Sequence, residues 1–271
     1  MLDGRPKFID DLDSALDNEF IAGLGRQRLA FFLDYDGTMT PLVAHPEDAI
    51  LTSANRATLG RLAAIFPVAV VSGRDRADVE ALVGLPDIYY AGSHGFDITG
   101  PEGVREVFGS GYLESLSEAG SLLASRIGGV KGVWIELKGF AVALHFRQAA
   151  DSSLDEIRRA VEDVARQTGG LRVSGGKKVL ELRPDIDWGK GHAVVHLLEL
   201  LGLSDGSTMP IYIGDDETDE DVFRVFTDRP GVGIVVGTEH RPTLADRVLT
   251  DPDETMSFLS RIAETASGRS L

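Results

Sequence analysis

Two aspartates one residue apart, Asp34 and Asp36, close an apolar run and are followed at once by Gly37, Thr38, Thr40 and Pro41. A hydrophobic stretch that stops at acids and turn formers is the pattern of a buried strand entering a tight turn. Both carboxylates then sit at the carboxyl end of a strand, the edge where open parallel α/β sheets bind ligands. The same residues also fit a solvated turn in which Asp36-Gly37 supplies only turn chemistry. Three further stretches bear on the choice. Ser72-Gly73-Arg74 offers a hydroxyl and a guanidinium after an apolar segment, and Lys190 lies between two glycines at an expected helix start. Residues 214–219, GDDETD, carry four acids after another apolar run, more than helix capping needs. Ser72-Gly73-Arg74 and Lys190 taken singly also fit ordinary helix entries, so their convergence on one sheet edge carries the reading.

Ionised carboxylates gathered in one place repel, by about 4 kcal/mol for unit charges 4 Å apart at an intermediate dielectric. A divalent cation offsets this. Cysteine is absent, so any metal is held by oxygen or histidine, which favours a hard cation such as Mg²⁺ with carboxylate, water and phosphate ligands. Asp34 and Asp215 are the expected ligands, and Asp216 or Asp219 either ligates or orients the others. A carboxylate can also act as a nucleophile, and Asp is ionised at neutral pH without help. Lys190 and the donors at Ser72 would neutralise and orient a transferring phosphoryl group. Asp36 is placed to protonate the leaving alkoxide and then to activate water, a role that needs an environment different from that of Asp34.

These residues need elements to position them. Apolar segments at 29–33, 68–71, 88–91, 211–213 and 233–236 alternate with helical patterns at 53–65, 75–82, 190–201, 219–226 and 255–264, which predicts βαβ units and a parallel α/β sheet. Ser53 is the expected N-cap of the 53–65 helix. A short amphipathic helix with Phe8, Leu12, Leu16 and Phe20 on one stripe is expected before the first strand. From about residue 100 the grammar changes to helix 112–127, alternating strands 133–137 and 140–146 joined near Lys138-Gly139, helix 154–167 and strands 171–173 and 178–182. This is an α+β block with antiparallel neighbours, inserted before the βαβ pattern resumes after Pro184. Within it, period two sets Trp134, Glu136 and Lys138 against Val133, Ile135 and Leu137, and Ala143, His145 and Arg147 against Val142, Leu144 and Phe146, a polar face that fits plain solvation as well as a ligand surface. Ala141 and Ala143 are expected to leave that face open beside His145. Lys177, Lys178, Glu181 and Arg183 lie on or beside a neighbouring strand. Among six histidines only His94 and His145 stand near other informative residues.

The chain has 271 residues, 43% hydrophobic, with mean hydropathy −0.01, enough for a real core. Its net charge of −16 argues against nucleic acid as a partner and obliges a site for an anionic substrate to collect positive charge locally. No run approaches a membrane span and the first residues lack a long apolar core, so a soluble, cytoplasmic protein without membrane association is expected.

In order and type, DYDGT at 34–38, SGR at 72–74, Lys190 and GDDETDE at 214–220 resemble the four motifs of the haloacid-dehalogenase-like phosphatases. AGSHGFDI at 91–98, VWIELKGFAVALHFR at 133–147 and ELRPDIDWGKGHAV at 181–194 are similar to the trehalose-6-phosphate phosphatases, and the likeness runs from about 27 to 265. The resemblance implies an α/β protein with a Rossmann-like core over 1–99 and 185–271 and an α+β cap over 100–184. It implies Mg²⁺-dependent hydrolysis of trehalose 6-phosphate in trehalose biosynthesis, through an aspartyl-phosphate, by a monomer acting on a small-molecule sugar phosphate. Asp34 would be the nucleophile and Asp36 the acid/base. Asp34, the Asp36 carbonyl and Asp215, with Asp216, would hold the metal, and Ser72, Gly73 and Lys190 the phosphate. Arg74, His94, Glu136, Lys138, His145, Arg147 and Glu181 are the candidates for substrate recognition. Met39, Asp97 and Phe146 depart from the residues usual in the family, and the last two bear on the identity of the sugar. The alternatives are another sugar phosphate, such as a glucosylglycerol- or mannosylglycerate-type phosphate, and, from a different class, a phosphoacceptor signalling module.

Overall fold

The computed structural model of the chain describes residues 7–43, 45–176 and 178–268. Lys177 lies outside them. The chain divides into two compact units, Met1–Glu106 with Trp188–Leu271, and Val107–Asp187.

The first unit opens with β1 (Lys7–Phe8), α1 (Asn18–Leu24), β2 (Arg28–Leu33), α2 (Ser53–Ala63), β3 (Val68–Val71), α3 (Arg76–Val83) and β4 (Tyr89–Gly92). Two short strands, β5 (Asp97–Thr99) and β6 (Arg105–Val107), end its first segment. The second unit holds α4 (Leu113–Ile127), β7 (Trp134–Lys138), β8 (Ala141–His145), α5 (Leu154–Thr168), β9 (Leu171–Gly176) and β10 (Val179–Pro184). The first unit then resumes with α6 (Lys190–Leu200), β11 (Thr208–Gly214), α7 (Glu220–Asp228), β12 (Val232–Val236), β13 (Pro242–Thr243), β14 (Arg247–Leu249) and α8 (Pro252–Ser267). Among the described residues, no helix is long and apolar enough to cross a membrane.

The main sheet runs β14-β12-β11-β2-β3-β4-β5-β6, parallel from β14 to β4, with β5 antiparallel to β4. β2 is buried along Leu29–Leu33 because helices must cover both faces of a parallel sheet, and its Leu29, Phe31 and Leu33 join Ile211, Ile213, Val70, Ile234, Phe258 and Leu259 in one core. The order of winding reverses beside β2: the chain proceeds to β3 and β4 on one side and returns through β11 and β12 on the other. Such a reversal opens a crevice at the carboxyl ends of the strands.

Several expectations change here. Residues 7–24 do not form one amphipathic helix. Phe8 pairs with Pro242 in β1–β13, and residues 13–15 exchange backbone hydrogen bonds with Val248, so their polar groups are already spent on strands. The helix begins only at Asn18, where the Asp17 carboxylate accepts the Phe20 amide at 2.9 Å. Likewise α2 is capped by Thr52, whose hydroxyl accepts the Asn55 amide at 3.1 Å, and not by Ser53. The strands β5, β6 and β14 are too short, at three residues each, to show a period of two.

The second unit is a four-stranded antiparallel sheet, β7-β8-β10-β9, with α4 and α5 packed on one face. Val142, Leu144, Phe146 and Leu182 meet Leu116, Leu123, Ile157, Val161 and Val164 in its core. Leu137 is 64% exposed despite its core-side position, because β7 is an edge strand. Ala141 and Ala143 are both buried, so the opposite face is not open at these positions as the alternation suggested.

Candidate active site

The turn after β2 is fixed by its own backbone. Gly37 N–H donates to the Thr40 carbonyl at 2.8 Å and Met39 N–H to the Tyr35 carbonyl at 2.9 Å, while the buried Tyr35 hydroxyl donates to the Ala49 carbonyl at 2.6 Å. Asp34 N–H donates to the Ile213 carbonyl at 2.9 Å, which ties the end of β2 to the end of β11. Gly37 has φ +80°, and a Cβ there would overlap the Asp215 carboxylate. Only glycine satisfies both demands.

Asp34, Asp215 and Asp219 converge. Their carboxylates each offer an oxygen within 4.8 Å of the others. Lys190, at the start of α6 and 2% exposed, donates from Nζ to Asp34 Oδ1 at 2.8 Å and to Asp219 Oδ1 at 2.7 Å. Asp219 is fully buried and accepts from four donors: Lys190, the Tyr212 hydroxyl, and the backbone amides of Asp215 at 2.8 Å and Asp216 at 2.9 Å. It therefore folds the GDDETD loop back on itself. Gly214 precedes the loop because a Cβ there would overlap the Asp219 side chain. Asp216 is half-exposed; its carboxylate accepts from the Thr218 amide and hydroxyl and lies 3.9 Å from Lys190.

One ammonium faces the two buried carboxylates of Asp34 and Asp219, with the half-buried Asp215 beside them, and the proton affinities follow. Burial pushes Asp34 well above the usual carboxylate range, with Asp219 and Asp215 adding to the rise and Lys190 opposing it. Burial, reinforced by Asp219 and Asp216, pushes Asp215 up to about 7. Asp219 is raised by burial, against the pull of Lys190. Burial works against the charge of Lys190, but Asp219 and Asp34 outweigh it and hold the ammonium protonated. Burial also disfavours the charge of Asp216, which Lys190 and the Thr218 bonds bring down to about 2. Such a cluster is short of positive charge, and a divalent cation on Asp34 and Asp215 would supply it.

The β3 loop contributes next. Ser72 is 1% exposed; its N–H donates to the Ala91 carbonyl at 2.9 Å and its hydroxyl accepts the Arg74 amide at 3.1 Å. Arg74 turns toward Asp36. Its Nε and Nη2 grip both Asp36 oxygens at 2.6 Å, and the guanidinium lies 5.4 Å from the Tyr35 ring centroid. Asp36 is thus paired with a guanidinium and is not one of the three converging carboxylates. His94 packs its ring against Gly73, and its N–H donates to the Ser72 carbonyl at 2.8 Å. Ser93 and His94 both adopt positive φ, 51° and 58°, a strained pair that persists only where the surroundings hold it.

The comparisons with known proteins agree with this geometry. The family model described as trehalose-phosphatase matches residues 32–253. The chain belongs to the trehalose-phosphatase family. It is 36% identical over 264 residues to the Zea mays protein named Trehalose 6-phosphate phosphatase RA3, covering 92% of this chain and 73% of that protein. A crystal structure of a trehalose-6-phosphate phosphatase related protein superposes with TM-score 0.75 at 26% identity, over 89% of this chain and 99% of that one. A haloacid dehalogenase-like hydrolase from Bacteroides thetaiotaomicron shares the fold, with TM-score 0.63 at 16% identity over 87% of this chain and all of that one. The protein is a phosphatase of phosphoric monoesters with a haloacid-dehalogenase-like α/β core.

In the second unit of this phosphatase, Glu136 pairs with His145 and Lys138 with Glu181, as separate rungs of a polar ladder. His145 Nε2 meets Glu136 at 3.0 Å, Lys138 Nζ donates to Glu181 at 3.2 Å, and Arg183 Nε donates to Glu181 at 2.8 Å. The exposed Trp134 ring stacks on His145 with centroids 4.3 Å apart. Burial alone would raise Glu181, but Arg183 and Lys138 hold it below the usual range. Arg147 lies outside the ladder, in the exposed turn after β8. Two of the three departures from family usage have local explanations: Phe146 is buried in the α4–α5 core, and Asp97 accepts Arg76 Nε at 3.1 Å. Tyr212 and Arg241, which hold Asp219 and Asp215 in place, carried no chemical signal in the sequence. Tyr212 is apolar strand filling in any periodicity, and Arg241 follows a Gly-Thr-Glu-His loop with none.

Proposed function

We propose that this phosphatase hydrolyses trehalose 6-phosphate to trehalose and phosphate with Mg²⁺, through a phosphoryl group carried on Asp34. The observation that carries the reading is the buried Asp34 carboxylate held by Lys190 within 4.8 Å of the Asp215 and Asp219 carboxylates. The metal would be held by Asp34, Asp215 and the Asp36 carbonyl, with Asp216 close by, and its chemistry is to withdraw charge from the transferring phosphoryl oxygens. The fit rests on the surplus of buried negative charge and on the raised proton affinities of Asp34 and Asp215.

Asp34 attacks phosphorus as the ester P–O bond breaks, and the alkoxide takes a proton from Asp36. Asp36 then draws a proton from water, whose oxygen attacks the phosphorus and regenerates the Asp34 carboxylate. Lys190 balances the negative charge on Asp34 and the phosphoryl oxygens, and Ser72 with Gly73 lies on the phosphate side. Arg74 acts through Asp36, fixing both of its oxygens until one is released to carry the proton. His94 shapes this loop through Gly73 and Ser72.

We assign recognition of the sugar hydroxyls to Glu136, Lys138, His145, Arg147 and Glu181 of the second unit. Carboxylates and an ammonium fixed by one another present directional acceptors and donors, as a polyhydroxyl ligand requires. The relative from Zea mays is named for trehalose 6-phosphate, which supports the choice of sugar. A phosphate-release panel with and without Mg²⁺ tests it, using trehalose 6-phosphate, glucose 6-phosphate and glucosylglycerol- and mannosylglycerate-type phosphates. Highest kcat/KM for trehalose 6-phosphate, abolished by chelation, is expected. Equal or better turnover of another ester overturns the sugar, and full turnover in chelator overturns the metal.

A further inference from the structure

We propose that Arg241 is a positioning residue for Asp215, setting the affinity of the site for its divalent cation through the Asp215 backbone. The inference rests on the metal role proposed above for Asp215.

Arg241 Nη2 donates to the Asp215 carbonyl at 2.6 Å, and Nη1 donates to Glu220 Oε1 at 2.9 Å. Both ion-pair partners are largely shielded, with side chains 20% and 16% exposed. The other Glu220 oxygen accepts the Leu244 amide at 2.9 Å, so one carboxylate ties the guanidinium to the segment that presents it. That segment is itself anchored. The Arg241 carbonyl accepts the Ile9 amide at 3.1 Å, Pro242 and Thr243 pair with Phe8 and Lys7, and the His240 ring stacks on Phe8 at 4.4 Å. A guanidinium reaching Asp215 from so constrained a base is a fixed strut.

Asp215 is consequently gripped at three points: its amide by Asp219, its carbonyl by Arg241, and its Oδ1 by the Thr38 hydroxyl at 3.3 Å. The two backbone bonds fix the Cα from which the carboxylate projects, and the Thr38 hydroxyl holds one of its oxygens. Charge points the same way. A cleft of about 500 Å³ beside the triad is lined by Asp215, Asp216, Glu217, Glu239 and Asp251, and among the described residues Arg241 is its one basic side chain. A planar fork bonding two acceptors at once is a guanidinium property that an ammonium does not reproduce.

The test is Mn²⁺ binding to the full chain without substrate, followed by electron paramagnetic resonance, in wild type, R241Q, R241K and E220Q, alongside thermal melts in chelator. Loss of one charge-assisted bond predicts about tenfold weaker Mn²⁺ binding in R241Q, partial recovery in R241K and a severalfold loss in E220Q. The KM for the phosphate ester at saturating metal should stay near wild type. A purely structural residue would lower the melting temperature and leave the folded protein's Mn²⁺ affinity unchanged. Folded R241Q binding Mn²⁺ within twofold of wild type overturns the inference, and if R241Q does not fold the same result in E220Q does so. Wild type that binds no Mn²⁺ overturns the metal reading and this inference with it, whereas wild-type affinity in the variants overturns this inference alone.

Discussion

Three carboxylates around one ammonium make each substitution near Asp34 a statement about charge. If Asp34 is the nucleophile proposed above, Asp34→Asn removes it and should lower kcat by at least about 10⁴-fold in phosphate release. Gly37→Ala forces a left-handed φ of +80° on a residue with a Cβ that overlaps the Asp215 carboxylate. It should weaken Mg²⁺ binding and activity together while the protein stays folded, and calorimetric titration giving wild-type affinity would contradict the geometry. The Asp215 carboxyl, pushed up to about 7, binds a proton in the folded metal-free protein that the unfolded chain, with its ordinary value of 3.8, does not hold at pH 5–6. That group therefore stabilises the metal-free fold as pH falls from about 7 toward 4, and a metal must displace its proton. Mg²⁺ affinity should fall by up to about tenfold per pH unit below 7, as titrations at several pH values would show. Asp34, Asp36 and the acidic loop were readable beforehand because apolar strands announce where they end. The central place of Asp219 was not readable, because four acids in six residues do not reveal which one turns back to accept two backbone amides.

At the scale of elements, β11 and its loop carry the site because Tyr212 points a hydroxyl into the turn that follows it. Tyr212→Phe leaves the buried Asp219 short of a donor and should cost about 1–3 kcal/mol in chelator, measured by denaturant unfolding. An unchanged midpoint would show that the other three donors suffice. In the four-stranded sheet, Arg183 and Lys138 hold Glu181 below its ordinary 4.5, so its pairs contribute stability above that pH and lose it as pH falls through the lower folded value. Acid unfolding of the wild type below about pH 4.5 should be steeper than that of Glu181→Gln. The strands of this sheet were readable from period two, and so was the face that carries Glu136, Lys138 and His145. The pairing of Glu136 with His145 and of Lys138 with Glu181 was not, since it depends on register across β7, β8 and β10. The N-terminal segment was misread for a related reason. An apolar stripe at helical spacing cannot show that Phe8 pairs with Pro242 or that residues 13–15 bond to Val248.

For the molecule as a whole, a net charge of −16 and a phosphate ester substrate are opposed, and the core resolves this within one crevice at the reversal of the sheet. Lys190 is the fixed local cation, and the divalent metal proposed above would be the exchangeable one. Metal binding should therefore stabilise the fold as well as enable the reaction, by about 2.7 kcal/mol at a hundredfold excess over Kd. The claim on which all of this depends is that Asp34 carries the phosphoryl group. Acid quenching during turnover of trehalose 6-phosphate with Mg²⁺, followed by mass spectrometry of the peptide spanning residues 29–42, measures it directly. A phosphoryl adduct on Asp34, absent without Mg²⁺ and absent in Asp34→Asn, is the predicted result. Undiminished phosphate release by Asp34→Asn in the same experiment, with no adduct on the wild-type peptide, would contradict it.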